Sequence, residues 1–292
     1  MRVGFIGVGN IGNPMCEHVI KAGHTVFVHD LVEERAANLI ELGAQWAESA
    51  AEVARLSEVV LSSLPGPPEV EAVLTGTDGI LAGAQPGTAY LDLSTNLPEV
   101  AKRLSALAAE QGVTMLDSPV SGGVAGAQAG TLAVMVGGDR ETFERYEQLL
   151  GAIGEHVFYM GEIGNGVLVK LVNNLVALTT QQVVQEGVLL AETAGLDPLR
   201  AHEVMSVSSA QRYVGGVPRL LERDYDTVSF ALDLAAKDVR LALEVAADHN
   251  VSLPVASAAH QTLLRAKARG LGAKNLTATF QLLEESAGFT PQ

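Results

Sequence analysis

The longest apolar stretch of the chain runs from Val167 to Ala194 and has the period of a helix. Apolar residues occupy almost every turn, so the pattern predicts a helix buried on nearly all sides. Lys170 and Asn174 lie four residues apart and therefore share one face. That face continues through Asn173, Ala177, Gln181 and Gln185. A buried ammonium is costly and its pKa falls, so Lys170 needs a partner or a chemical role; a solvated stripe on a surface helix is the alternative.

The first half of the chain alternates short apolar runs with helical segments. Val3-Gly4-Phe5-Ile6 predicts a buried strand, and a helical pattern ending near Gly23 follows soon after it. Further strands are predicted at 25–29, 58–64, 89–93, 113–116, 132–136 and 156–160, with helices at 32–42, 97–111 and 140–153. This alternation is typical of a doubly wound parallel sheet.

From Gly195 onward the pattern changes to helices only. They are predicted at 198–206, 219–222, 231–249, 254–269 and 275–285. The predicted fold is therefore α/β, with an N-terminal Rossmann-type doubly wound sheet (1–163), a long interdomain helix (164–194) and a C-terminal all-α domain (195–292). Lys237 and Asp238 lie together in the third of these helices, a pattern that also fits a surface charge cluster.

A glycine motif joins the first strand to the first helix. It reads Gly7-Val8-Gly9-Asn10-Ile11-Gly12. In the order strand, motif, helix, its glycines permit a tight turn, approach of a pyrophosphate and close helix packing. Asp30 ends the second predicted strand, where a carboxylate accepts hydrogen bonds from ribose hydroxyls. The cofactor expected is NAD, although Arg35 leaves NADP open, and Asp30 also fits a helix N-cap.

The segment from Val120 to Thr131 is rich in glycine and alanine. We expect a loop here, because glycine weakens both helices and strands. Backbone amides around Ser121, Gly122 and Gly123 can converge on an anion such as a carboxylate, with the Ser121 hydroxyl as a further donor. An ordinary flexible loop is the alternative.

Composition narrows the choice of partners and compartment. The net charge of -15 opposes binding to nucleic acid or to an anionic membrane. The single cysteine, Cys16, excludes an internal disulfide and fits a reducing cytosol. The first residues lack the pattern of a signal peptide, polar residues interrupt the long apolar helix, and the scattered histidines give no metal-site motif. We expect a cytoplasmic protein without a metal site or membrane span.

Four segments in order resemble the beta-hydroxyacid dehydrogenase family, which includes 3-hydroxyisobutyrate dehydrogenase and tartronate semialdehyde reductase. They are Val3 to Gly12, Asp117-Ser118-Pro119-Val120-Ser121-Gly122-Gly123, Gly164 to Asn174, and Lys237-Asp238. The resemblance covers nearly the whole chain. It implies a Rossmann domain, a long interdomain helix and a helical domain, in a homodimer or homotetramer that shares the helical part.

The same resemblance assigns roles to individual residues. It makes Lys170 the catalytic acid/base and Asn174 a substrate-orienting amide, with Asn173 beside it in the substrate site. Ser121, Gly122 and Gly123 become the carboxylate site, and Lys237 lies near both substrate and cofactor. The further cofactor contacts implied are Leu64, Pro65, Glu69 and Thr95. Relatives often carry a polar amide where this chain has Glu69.

The activity implied is hydride transfer between NAD(P) and a small hydroxy acid such as 3-hydroxyisobutyrate or 2-hydroxy-3-oxopropionate. A free lysine, with a pKa of about 10.4, is a poor base at neutral pH, but burial and a neighbouring cation lower that value. Arg212 is a candidate to meet a second carboxylate of a diacid. The alternatives are an imine or other carbonyl reductase on the same scaffold and a non-catalytic NAD-binding sensor; the presence of Lys170 argues against both.

Overall fold

The structure is a computed structural model, and it describes residues 1–290. The chain divides into two compact units, Met1–Lys170 and Leu171–Gln292. The division falls inside the longest helix, directly after Lys170. The three-part division expected from the sequence remains a prediction.

The first unit contains a six-stranded parallel sheet. Its strands are β1 (Arg2–Ile6), β2 (Thr25–His29), β3 (Gln45–Trp46), β4 (Val59–Ser62), β5 (Ala89–Asp92) and β6 (Thr114–Asp117). The strand order is β3-β2-β1-β4-β5-β6, which confirms the doubly wound arrangement. The order reverses between β1 and β4, and ligands of such sheets bind beyond the carboxyl ends of the strands at that point.

Helices cover both faces of this sheet. Successive side chains of a strand point to opposite faces, so Val3 and Phe5 of β1 enter one apolar cluster and Ile6 enters the other. The helices are α1 (Gly12–Lys21), α2 (Ala37–Glu41), α3 (Ala50–Leu56), α4 (Pro67–Thr75), α5 (Ile80–Gly83), α6 (Pro98–Glu110), α7 (Gly123–Ala129) and α8 (Arg140–Gly151). A 3₁₀ helix, Glu33–Ala36, precedes α2.

A second, three-stranded sheet follows the first. Its strands are β7 (Val120–Ser121), β8 (Ala133–Val136) and β9 (His156–Tyr159). The two runs predicted at 132–136 and 156–160 are strands, as expected, but they do not extend the first sheet. Strand β7 is antiparallel to β8, and β8 is parallel to β9. A single antiparallel bridge, Asp117 to Gly137, joins the end of β6 to this sheet.

The expectation of a loop over 120–131 is wrong. Residues Val120–Ser121 form β7 and Gly123–Ala129 form α7. Alanine is the strongest helix former, and the three alanines of α7 offset its glycines. Ala127 is buried, so the helix is also held by packing.

Helix α9 (Asn165–Thr193) is 29 residues long and crosses the division between the units. The expectation that it is buried on nearly all sides is wrong. Val172, Val176, Val183 and Leu190 are 54%, 55%, 55% and 69% exposed, and we call these four residues the α9 stripe. By length and composition α9 is apolar enough to cross a membrane, but one such helix is weak evidence for a span. Lys170, Asn174 and Gln185 of the predicted polar face are buried.

The second unit is helical, as expected. After α9 it contains α10 (Pro198–Met205), α11 (Val217–Leu221), α12 (Leu232–Asp248), α13 (Pro254–Ala268), a 3₁₀ helix (Leu276–Ala278) and α14 (Thr279–Ala287). Its core includes Leu178 of α9, Leu232 and Val239 of α12, Leu263 of α13 and Phe280 of α14. This packing buries one face of α12, and Asp238 of the Lys237–Asp238 pair lies on that face.

Candidate active site

The glycine motif has the geometry that a dinucleotide needs. Gly7 has a φ of +85°, and a Cβ there would lie 2.4 Å from the Ser63 carbonyl oxygen, so the turn requires glycine. A Cβ at Gly12 would lie 2.0 Å from the Gly7 carbonyl oxygen, because α1 begins against the turn. A Cβ at Gly9 meets no heavy atom of the described residues within 4 Å. That open position, at the N-terminus of a helix without acidic residues in its first turn, fits a pyrophosphate.

The remaining motif residues Val8, Asn10 and Ile11 lie between these glycines. Asp30 follows β2, and its Oδ2 accepts a hydrogen bond from the Val8 amide at 2.8 Å. Its Oδ1 accepts from the Val32 amide at 3.0 Å and lies 3.6 Å from a guanidinium nitrogen of Arg35. Asp30 therefore does not cap a helix; the adjacent 3₁₀ helix has Val32 at its N-cap position.

The loops after β4 and β5 carry the other predicted cofactor contacts, and a buried carboxylate holds them. Asp92, the last residue of β5, accepts hydrogen bonds from the Ser94 amide, the Ser62 hydroxyl and the Asn96 side chain at 3.0, 3.2 and 3.3 Å. The Ser94 hydroxyl in turn accepts a hydrogen bond from the Leu64 amide at 2.9 Å. Burial raises the pKa of Asp92 to about 6, and these hydrogen bonds offset part of the shift.

This network fixes Leu64 and Pro65 after β4 and half-buried Thr95 after β5. Glu69 is exposed, in the first turn of α4. Asp92 was absent from the expected site residues. The available signal was its position: a carboxylate that closes a buried strand, two residues before Ser94.

The predicted carboxylate site lies between β7 and α7. Ser121 ends β7, and both following glycines have positive φ, +141° at Gly122 and +65° at Gly123. A Cβ at Gly122 would lie 2.9 Å from Leu132 Cδ2, so this turn accepts only glycine without rearrangement. Ser121 is half-buried and both glycines are exposed, so a small anion has access to them.

Lys170 occupies the second turn of α9 and is the last residue of the first unit. It is buried, with 8% of its surface exposed. An ammonium so far removed from water is costly unless polar or charged groups compensate for it. The interpretation of this residue as part of a solvated surface stripe is therefore wrong.

In the second unit, Asp238 joins two of the predicted site residues. The Asn174 amide nitrogen donates a hydrogen bond to Asp238 Oδ2 at 2.6 Å, and the Lys237 ammonium lies 2.9 Å from Oδ1. Asp238 is 2% exposed, so the pair is not a surface charge cluster. Asn173 donates to the Asn174 side-chain oxygen at 3.2 Å. Asp238 was absent from the expected site residues, although its place beside Lys237 was the signal.

Each unit thus brings together its own share of the predicted site. The first holds the glycine motif, Asp30, the strand-end loops, Ser121 to Gly123 and Lys170. The second holds Asn173, Asn174 and Lys237, and the candidate Arg212 lies exposed between α10 and α11. Across residues 1–290, no group of three or more His, Cys, Asp or Glu side chains has the arrangement to hold a metal ion.

Two family profiles match the chain. The NAD-binding domain of 6-phosphogluconate dehydrogenase matches residues 2–161. The profile described as the NAD-binding domain of NADP-dependent 3-hydroxyisobutyrate dehydrogenase matches residues 164–283. The two matches together account for most of the chain.

Individual proteins are similar over nearly their whole lengths. The 2-(hydroxymethyl)glutarate dehydrogenase of Eubacterium barkeri is 35% identical, over 99% of this chain and 96% of its own. The NAD-dependent L-serine dehydrogenase of Pseudomonas aeruginosa is 36% identical, over 98% of this chain and 99% of its own. The structure of Mycobacterium tuberculosis 3-hydroxyisobutyrate dehydrogenase with L-serine has a TM-score of 0.86 at 30% identity. The match covers 97% of this chain and 98% of that one.

Proposed function

The chain belongs to the beta-hydroxyacid dehydrogenase family, and on that premise we propose that it is an NAD-dependent dehydrogenase of a small hydroxy acid. The reaction is reversible hydride transfer between nicotinamide C4 and the carbon that bears the substrate hydroxyl group. In oxidation that carbon loses a hydride and its hydroxyl group loses a proton, so a carbonyl group forms. The nicotinamide supplies the hydride acceptor, and the chain supplies the proton acceptor and the substrate site.

Lys170 is the residue that carries this proposal. Its amine is buried near the start of α9, and the amide of Asn174 follows one turn later on the same face. Lys170 takes the hydroxyl proton during oxidation and returns it to the carbonyl oxygen during reduction. Asn174 orients the substrate, and Asp238 holds the Asn174 amide through the 2.6 Å hydrogen bond.

The substrate class follows from the carboxylate site and from the relatives. The acids named for the three similar proteins each carry a hydroxymethyl group on the carbon that bears the carboxyl group. We assign the carboxylate to the amides and hydroxyl of Ser121, Gly122 and Gly123, because anchoring it there orients the hydroxyl-bearing carbon. Arg212 is the candidate contact for a second carboxylate, which a glutarate-type diacid carries.

Asp30 supports NAD as the preferred cofactor. Its carboxylate is held beside the glycine motif by the Val8 amide, in the position where ribose hydroxyls are bound in this fold. A 2′-phosphate would meet this negative charge. Arg35, the nearby cation, is already paired with Asp30 at 3.6 Å.

The α9 stripe supports a homodimer or homotetramer. Its four residues follow one another by four, seven and seven positions, so they line one side of the helix. Exposed apolar stripes of this kind mark protein interfaces. We also propose a cytosolic location, since Cys16 is buried and unpaired and needs no oxidising compartment.

Initial rates with a panel of hydroxy acids, diacids and amines, with NAD⁺ and NADP⁺ in parallel, test the reaction. We expect turnover of one 3-hydroxy acid with NAD⁺. Replacing Lys170 by Met is expected to lower turnover by about 10²- to 10⁴-fold, because the proton acceptor is lost. Lys102→Met, at an exposed lysine paired with Glu99 on α6, is the matched control and retains normal turnover.

Three outcomes would contradict the proposed function. A Lys170→Met enzyme with near-normal turnover would remove the acid/base role. Tight NADH binding without turnover of any acid would favour a sensor, and turnover of amines alone would favour an imine reductase.

A further inference from the structure

A buried carboxylate holds the beginning of α9. Asp117 ends β6, and its Oδ1 accepts a hydrogen bond from the Gly164 amide at 2.7 Å. Its Oδ2 accepts from the Val167 amide at 2.6 Å. A single side chain, almost fifty positions earlier in the sequence, therefore satisfies two amides that the first turn of a helix leaves without partners. A negative charge at this end also interacts favourably with the helix dipole.

The carboxylate is 0% exposed, so its interactions are those of a buried group. Burial raises the pKa of Asp117, and hydrogen bonds from the amides of Gly164, Val167 and Gly166 oppose that shift. Charged hydrogen bonds of this kind are short and strong, and a buried carboxylate without them is costly. The geometry of the first turn of α9 is thus tied to one side chain of the sheet.

Two glycines allow the backbone to pack closely around Asp117. A Cβ at Gly137, on the far side of the bridge between β6 and the second sheet, would lie 2.5 Å from Asp117 Oδ1. A Cβ at Gly166 would lie 2.3 Å from the Met135 carbonyl oxygen and 2.9 Å from Asp117 Oδ2. Backbone, carboxylate and helix therefore meet in direct contact at the end of β6.

Short chain segments connect this junction to two predicted site residues of the first unit, Lys170 and Ser121. Lys170 follows Val167 by three residues on a rigid helix, a rise of about 4.5 Å. Ser121 follows Asp117 by four residues and ends β7. We propose, on the basis of the function proposed for Lys170, that Asp117 is a positioning residue: it fixes the start of α9 and thereby sets Lys170 relative to the carboxylate site at Ser121 to Gly123.

Asp117→Asn tests this role. The new side-chain NH2 group replaces one carboxylate oxygen and faces the Gly164 or Val167 amide, so two donors oppose each other and that hydrogen bond is lost. We expect kcat to fall by at least tenfold and by as much as about 10²-fold, the cost of a misplacement near 1 Å. The dissociation constant of NADH, titrated by its fluorescence, stays within about threefold, since the glycine motif and Asp30 lie on other elements. Rates are divided by the number of NADH-binding sites, so that unfolded protein does not count.

Asp139→Asn is the matched control, because Asp139 caps α8 in the same unit by accepting from the Thr142 amide at 2.8 Å. The Asp139→Asn variant loses a carboxylate at the start of a different helix. We expect its kcat per NADH-binding site to stay normal. If Asp117→Asn does not fold, Asp117→Ser keeps one acceptor and replaces it in the test.

The outcomes separate this role from the proposed function. Normal kcat per binding site in the Asp117 variant, beside a large loss in Lys170→Met, overturns the positioning role alone. An equal loss of kcat in Asp139→Asn overturns it as well, since the effect would then be general. Normal turnover in Lys170→Met overturns the proposed function instead.

Discussion

Asp30 closes β2 with a carboxylate that holds two backbone amides and faces one guanidinium. These contacts place its charge beside the glycine motif before any cofactor binds. The position of Asp30 in the sequence predicted the contact with ribose, because the distance from the motif is set by one helix and one strand. The hydrogen bond to Val8 was not predicted, because it depends on how the two strand ends meet.

We predict that Asp30→Asn shifts the cofactor preference. Loss of the charge removes the repulsion of a 2′-phosphate and frees Arg35 to bind it, so kcat/KM rises about tenfold for NADP⁺ and falls about tenfold for NAD⁺, each about 1.4 kcal/mol. Initial rates with both cofactors measure the change. Glu33→Gln, at an exposed acid three residues away, is the control. An equal fall for both cofactors in Asp30→Asn would contradict a role in discrimination.

Asp92 makes stability depend on pH. Its pKa of about 6 in the folded state lies above the value of about 3.9 for an unfolded chain. The folded state therefore holds the proton more tightly, and the stabilisation is complete below about pH 4 and is lost as pH rises through about 6. The physical cause is the cost of placing the charge in the core.

We predict that Asp92→Asn gains stability relative to the natural chain as pH rises from 4 to 7. The difference between the two free energies of unfolding changes by about 2 to 3 kcal/mol in favour of the variant. Urea unfolding at intervals of one pH unit measures it. In the control Asp139→Asn the difference stays nearly constant over this range, because hydrogen bonds from Thr142 lower the pKa of Asp139 and its effect on stability appears only at more acidic pH. A difference independent of pH would show that Asp92 titrates normally.

At the scale of elements, the end of α9 is held by a partly buried ion cluster. Arg223, between α11 and α12, lies 3.0 Å from a Glu192 oxygen of α9 and 2.8 Å from a Glu284 oxygen of α14. Its guanidinium also lies 5.5 Å from the centre of the Phe280 ring. Three segments far apart in sequence therefore share one cation.

We predict that Arg223→Met lowers the free energy of unfolding of the second unit by about 2 kcal/mol at pH 7, because two partly buried carboxylates then face each other without a cation. Chemical denaturation followed by circular dichroism measures the loss. Arg200→Met breaks an exposed pair with Glu203 and is expected to cost at most about 0.5 kcal/mol. Equal losses in the two variants would show that burial of the Arg223 cluster contributes nothing.

At the scale of the whole molecule, a chain with a net charge of -15 leaves an uncharged stripe open along α9. Electrostatic repulsion between two such negatively charged chains opposes their association. A stable interface between them therefore depends on burial of apolar surface. The α9 stripe offers that surface.

We predict that the natural chain is an oligomer and that Val176→Glu combined with Val183→Glu yields a monomer. Each substitution places a charge in the proposed interface, where its desolvation is unfavourable. Light scattering coupled to gel filtration gives the mass of each form. Leu42→Glu, at a 44% exposed leucine in the first unit, leaves the mass unchanged. A monomeric natural chain, or an oligomeric double variant, would rule out this interface.

The exposure of α9 shows where pattern reading stops. A run of valine and leucine predicts that these side chains are shielded from water. The pattern does not distinguish shielding by the chain's own core from shielding by another molecule. The helix itself was predicted over its full length, but the burial predicted for it on nearly all sides was wrong. The helix α7 was missed for a similar reason, since its alanines and glycines favour opposite structures and packing decided between them.

The sequence by itself indicated the α/β class, the six-stranded sheet's main strands and the long helices in their order, and it supplied the residues proposed for the site. Backbone period dictates side-chain direction, and glycine at position 12 is required by a local contact, because a Cβ there would meet the Gly7 carbonyl oxygen. Only the tertiary structure decided which carboxylates act as anchors: Asp92 for the cofactor loops, Asp117 for α9 and Asp238 for Asn174. Their partners depend on segments that meet only after folding, because hydrogen bonding of a buried group is specified by three-dimensional proximity rather than by sequence spacing.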